Sequence, residues 1–371
     1  MKYIDEYRDP QLAAYWVAKI RSIATKRWTI MEVCGGQTHG LLRYGIDEVL
    51  EDVIEMLHGP GCPVCVTPVS AIEHAIVLAY KPKTILATFG DMMRVPGAKV
   101  SLLQARSQGA DVRIVYSPLD AVDIARNHPD SQVVFFAVGF ETTAPATGLA
   151  VLQAQRLGLR NFSLLCVHVR VEPAMQAIVQ SPNNRVQGFL AAGHVCTVMG
   201  YDCYQDFVQD YRIPVVVTGF EPVDLLRGIY ECVRQLEHGQ FEVANEYART
   251  VRPSGNLHAR AIIDQVFEVT DRPWRGLGVI PQGGLVLRDE FREFDSAFRY
   301  PEIAIHLAES SECQSGAVMT GQIRPTQCPQ FGVACTPQNP LGAPMVSSEG
   351  ACAAYYAYQS RSKLSSSGAD S

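Results

Sequence analysis

A chain of 371 residues, 47% hydrophobic and 19% charged, is long enough to bury two or three separate cores. Its net charge of −6 argues against a nucleic-acid surface. The start, MKYIDEYRDP, carries acids and no apolar h-region, and the longest apolar stretch, near Val133 to Phe140, is far too short to span a bilayer; the expectation is a soluble, cytoplasmic protein with no membrane partner.

Residues 1–28 read as a helical arm, with Leu12, Tyr15, Trp16, Ala18 and Ile20 as its apolar stripe. Residues 28–33 form a short strand that runs into Cys34-Gly35-Gly36-Gln37-Thr38-His39. The apolar run 53–57 leads into Gly59-Pro60-Gly61-Cys62-Pro63-Val64-Cys65, then a helix starting near Pro68 with Val69, Ile72, Ile76 and Ala79 on one face. Strand, loop and helix then recur: 84–88 ending in Phe89-Gly90-Asp91, 111–116, 132–138 ending in Gly139-Phe140-Glu141-Thr142-Thr143-Ala144-Pro145, 161–167 and 214–218. Such alternation predicts an α/β fold of parallel, Rossmann-like sheets with right-handed crossovers.

Gly139-Phe140-Glu141 is echoed by Gly219-Phe220-Glu221, each after an apolar strand. The echo points to two similar lobes, 29–130 and 131–240; the alternative is that every βα loop favours glycine and an acid near a helix N-terminus. After Gln240 the texture changes. Residues 279–287 look like a hairpin, and 312–352 are rich in Cys, Gly, Pro, Gln and Thr, a loop-rich stretch that needs a staple. The expectation is a C-terminal cysteine-rich iron–sulfur domain over 241–360, then a disordered polar tail, 361–371.

Eleven cysteines in a chain of this class point to metal binding or thiol redox chemistry, because cytosolic thiols stay reduced. Cys62 and Cys65 lie in one backbone turn and can close a disulfide, ligate a metal or exchange electrons; half a zinc site or two bystander thiols are the plain alternatives. Cys34 and the Cys62/Cys65 pair both follow strands and precede helices. The carboxyl ends of parallel strands share one edge, so the three thiols can meet there. A cysteine at a helix N-terminus has its thiolate favoured by the dipole. His39 either serves a group bound at Cys34 or bonds to backbone.

Cys313, Cys328, Cys335 and Cys352 follow with 14, 6 and 16 intervening residues. Structural zinc prefers tight knuckles. This wide spacing fits a [4Fe–4S] cluster at least as well, unless one or two are merely buried thiols. Cys166 and Cys232 read as core, and Cys196 and Cys203 lack a partner at ligand spacing. Glu141, Thr142 and Thr143 either cap the following helix or face the thiol cleft, and His168 and His194 read as structural. No phosphate loop, dinucleotide fingerprint, H-E-x-x-H, G-x-S-x-G or CxxxCxxC is present.

Together the CGGQTH segment, the GPGCPVC segment and the four C-terminal cysteines resemble the HypD family of [NiFe]-hydrogenase maturation factors over essentially the whole chain. Gly139 to Pro145 also looks like a family segment. One departure is Gln37, where the family pattern has His in many members. The resemblance implies a redox-active assembly scaffold rather than a metabolic enzyme. It would hold the iron of the Fe(CN)2CO precursor with a small HypC-type chaperone, Cys34 being the iron thiolate on this chain. A HypE-type protein would present cyanide as a protein-bound thiocyanate. The Cys62/Cys65 dithiol would supply two electrons, and a [4Fe–4S] cluster on Cys313, Cys328, Cys335 and Cys352 would reset it. The rivals are a stand-alone thiol–disulfide oxidoreductase, a zinc-stabilised binding protein and a nucleotide-hydrolysing enzyme built on the Glu141 loop.

Overall fold

The computed structural model describes residues 4–301 and 312–358. The first three residues of the expected arm and the expected tail, 361–371, lie outside the described residues. Among these residues, nine strands form two parallel sheets and two form a hairpin. The strands are β1 (Trp28–Glu32), β2 (Ile54–His58), β3 (Thr84–Thr88), β4 (Val112–Ile114), β5 (Gln132–Gly139), β6 (Phe162–His168), β7 (Gly188–Ala192), β8 (Val215–Thr218), β9 (Val243–Asn245), β10 (Phe267–Trp274) and β11 (Gly278–Leu287). The first sheet runs β2-β1-β7-β8-β9 and the second β4-β3-β5-β6.

Both sheets are wound alike. The first strand of each lies inside, the second outside it, and the later strands extend from the first strand's other edge. This winding leaves a crevice between β1 and β7 in one sheet and between β3 and β5 in the other. β3, β6, β7 and β8 are buried along their whole length, as expected of parallel strands covered on both faces.

The boundary expected at residue 130 is not where the sheets divide. β5 pairs with β3 in the register Thr84↔Gln132, and β1 pairs with β7 in the register Ile30↔Gly188. The chain begins the first sheet, leaves to build the whole second sheet, and returns at β7. Local periodicity marks strands but carries no information about which distant strand each will pair with. The repeated Gly-Phe-Glu also falls on non-equivalent strands, after the third strand of one sheet and the fourth of the other. Its acids serve helix N-termini instead: Glu221 caps the helix Pro222–His238 in a box with Asp224, and Glu141 accepts from Val171 N at the head of Val171–Gln180.

The N-terminal helix Pro10–Ile23 starts at the Asp9 cap and packs on Pro222–His238, with Trp16 against Tyr230. Arg8 pairs with Glu221, and the Trp28 indole donates to Glu237 at 2.7 Å. The hairpin expected within 279–287 is instead a single strand, β11, antiparallel to β10. It closes on the free edge of the second sheet through a bridge between Val169 and Gly284. No helix of the described residues is long and apolar enough to cross a membrane.

Candidate thiol and iron site

β1 delivers Cys34 to the crevice edge, where it is the N-cap residue of the helix Gly35–Arg43. The loop after β2 folds directly over it: Gly59 N donates to Glu32 O at 2.8 Å, and Gly35 N to Gly61 O at 2.9 Å. Gly61 touches the Cys34 backbone so closely that a Cβ there would lie 2.5 Å from Cys34 N and Cα. Cys62 and Cys65 form a disulfide, and Cys34 packs against the core cluster that contains both. The Cys34 segment and the loop bearing Cys62 and Cys65 therefore meet at this edge.

The disulfide is 3% and 2% exposed at its two residues, so it is sealed, and Cys34 is half-buried. The helix N-terminus does favour the Cys34 thiolate through the Gly36 and Gln37 N–H groups, but burial outweighs it. Burial first, then the Glu32 and Glu349 carboxylates, push this thiol up to about 12.

Beneath Cys34 is a buried polar chain. Glu32, fully buried, accepts from Cys34 N at 2.8 Å, from the Thr38 hydroxyl, and meets His58 Nδ1 at 2.8 Å. His58 Nε2 lies 3.1 Å from the Tyr355 hydroxyl. Tyr355 belongs to the last described helix, residues 351–358, which also sets the Tyr358 hydroxyl 2.6 Å from His39 Nε2. His39 is therefore tied to the C-terminal helix. Glu32, His58 and Tyr355 were not among the expected site residues. The available signal was a carboxylate and an imidazole at the last positions of two strands.

The four C-terminal cysteines line one pocket, walled by Val318, Phe331, Leu341 and Met345. Among the described residues no three or more His, Cys, Asp or Glu converge on a point as a single ion requires. Four thiols in an apolar wall are the donor set that an iron–sulfur cluster takes. Cys352 is raised by burial and then by the charges of Cys313, Cys335 and Cys328. It opens the same helix that carries Tyr355 and Tyr358 to the Cys34 side.

A family model for HypD, described as the hydrogenase formation hypA family, matches residues 11–359. The chain belongs to the HypD family. It is 47% identical over 367 residues to the hydrogenase maturation factor HypD of Azotobacter vinelandii, covering 96% of this chain and 97% of that one. It is 47% identical over 367 residues to the hydrogenase expression/formation protein HupD of Azotobacter chroococcum, covering 96% and 97%. To HypD of Escherichia coli it is 43% identical over 367 residues, covering 97% and 98%. In this HypD-family chain Gln37 is fully buried, and its amide donates to Ala191 O at 2.9 Å and Thr218 Oγ1 at 2.6 Å. It thus clamps the ends of β7 and β8.

The remaining candidates settle into supporting places. His168 is fully buried and pushed down to about 4, so it stays neutral. His194 stacks on Phe220, 4.0 Å between centroids. Cys166 and Cys232 are core, Cys196 is buried and Cys203 exposed. Thr143 bonds back to Phe140 O at 3.1 Å. Glu141 caps Val171–Gln180 rather than the helix that follows it, Ala144–Arg156, and burial pushes its carboxyl up to about 7. An unfolded glutamate ionises near ~4.3, so between there and 7 the folded chain keeps a proton the unfolded chain has lost, and stability falls as pH rises through that window. Glu141→Gln removes this loss. The variant is expected to exceed the parent by about 3 kcal/mol at pH 8, with the gap closing toward pH 4, in urea midpoints.

Proposed function

We propose that this chain is an iron-holding scaffold that builds the Fe(CN)2CO unit of [NiFe] hydrogenase with a HypC-type small chaperone and a HypE-type cyanide donor. One arrangement carries the reading: a half-buried Cys34 at a helix N-terminus, the loop that leads into a disulfide packed on its backbone, and a terminal helix joining that site to four clustered thiols. Cys34 would bind the iron, which is cargo. Binding displaces the thiol proton, and the Gly36 and Gln37 N–H groups then hold charge on the sulfur.

Cyanide leaves a protein-bound thiocyanate when two electrons enter the S–CN bond, yielding a thiolate and cyanide. Cys62 and Cys65 as thiols supply two electrons, release two protons and close their S–S bond; one proton goes to the departing thiolate and the other to solvent, and cyanide leaves as the anion that iron takes. Cys313, Cys328, Cys335 and Cys352 would hold a [4Fe–4S] cluster, which supplies electrons singly when bound. A stand-alone oxidoreductase of thioredoxin type accounts for Cys62 and Cys65 but leaves Cys34 and the four clustered C-terminal thiols without a role.

The test is anaerobic purification with iron, sulfide and zinc counts. The expected result is about four irons and four sulfides per chain, lost in Cys328→Ser. One zinc and no iron would overturn the electron-transfer half of the proposal.

A further inference from the structure

The disulfide and the four-thiol pocket are far apart in sequence, yet one short element lies between them. Residues 274–278 form the turn of the β10–β11 hairpin. On one side, Arg275 N donates to Val66 O at 2.8 Å, one residue beyond Cys65. On the other, Gly276 rests on Gly316, in the helix Ser315–Met319 that begins two residues after Cys313. A Cβ on Gly276 would lie 2.7 Å from Gly316 Cα, and Gly276 has φ of +77°. A Cβ on Gly316 would in turn strike the Gly276 carbonyl. The contact is backbone on backbone from both sides.

The turn is itself anchored. Trp274 is 2% exposed, donates its indole N–H to Gly283 O at 2.9 Å, and packs on Phe140 in the loop after β5. One hydrogen bond and one close contact therefore run from Cys65 to the segment bearing Cys313.

We infer that this turn is a positioning element: it sets the separation between the Cys62–Cys65 disulfide and the group held by the four thiols. Gly276 and Gly316 are glycines because no side chain fits between. The inference rests on the proposed function, in which the two thiol sites exchange electrons. Opening the disulfide consumes two electrons and two protons and gives two thiols, and the rate of such transfer falls steeply with distance. Val66, adjoining Cys65, is where the separation of the two sulfurs would first be felt. The same turn therefore both spaces the sites and senses the state of the loop.

The experiment compares the parent with Gly316→Ala, each purified anaerobically with its iron. Dithionite is added at limiting amount, and Cys62 and Cys65 are trapped by alkylation over time. With iron and sulfide content unchanged, the variant is expected to form the two thiols about tenfold more slowly, as a displaced reacting pair does. Equal rates in parent and variant overturn the inference. A second measurement uses the unaltered chain: hydrogen exchange of the peptide containing Arg275, before and after reduction of the disulfide by a phosphine. Faster exchange of the Arg275 amide in the reduced form is expected. Unchanged exchange overturns the inference, and this arm decides the matter if Gly316→Ala fails to fold. A parent without iron and sulfide would instead refute the proposed function, while the exchange arm still judges the turn.

Discussion

Gly61→Ala is expected to destabilise the chain by about 3 kcal/mol and to expose Cys34. The new Cβ would lie 2.5 Å from Cys34 N and Cα and 2.6 Å from its carbonyl carbon. These are backbone atoms, so no rotamer change relieves the overlap. Either the 59–65 loop lifts or the head of the helix Gly35–Arg43 shifts, and the 2.9 Å bond from Gly35 N to Gly61 O is lost either way. Urea midpoints measure the first effect, and the rate of Cys34 alkylation the second. Gly45→Ala is the control. Gly45 has φ of +64° but nothing within 4 Å of its would-be Cβ, so it should cost only about 1 kcal/mol of backbone strain and leave Cys34 shielded. A Gly61 variant with the parent's midpoint and alkylation rate would mean that the loop does not bear on Cys34 in solution.

Glu32→Ala is expected to cost about 3–5 kcal/mol, the range for breaking a buried pair. Its carboxylate serves three groups at once: the Cys34 N–H at 2.8 Å, the Thr38 hydroxyl, and His58 Nδ1 at 2.8 Å. Truncation leaves all three without that acceptor in a site closed to water, and an unmet buried donor costs more than a made bond contributes. Tyr355→Phe, which removes only the 3.1 Å bond to His58 Nε2, should cost about 1 kcal/mol. Chemical denaturation of both variants separates the two magnitudes. If Glu32→Ala were no more damaging than Tyr355→Phe, the buried carboxylate would not be the keystone of the Cys34 loop.

Much of this site is visible in short stretches of the chain. Runs such as Val133 to Val138 announce buried parallel strands because their apolar residues are continuous over the length of a strand. Cys34, Cys62 and Cys65 can be assigned to one sheet edge because each follows such a run and precedes a helical pattern. The helix-terminus preference for the Cys34 thiolate is local too, since the Gly36 and Gln37 N–H groups are its neighbours in sequence.

What required the folded chain was everything that depends on distant partners. Pairing of β3 with β5, and of β1 with β7, is set by packing between segments, and it moved the division of the lobes away from residue 130. The sealing of the disulfide and the upward push on Cys34 come from desolvation, which no neighbouring residue encodes. Glu32 and His58 become one network only because β1 and β2 are adjacent and Tyr355 arrives from the far end of the chain. The sequence alone determined which groups are available and which end of each strand presents them. The tertiary structure decided their spacing, burial and pairing, because those are properties of contacts between residues that lie from tens to hundreds of positions apart in the chain.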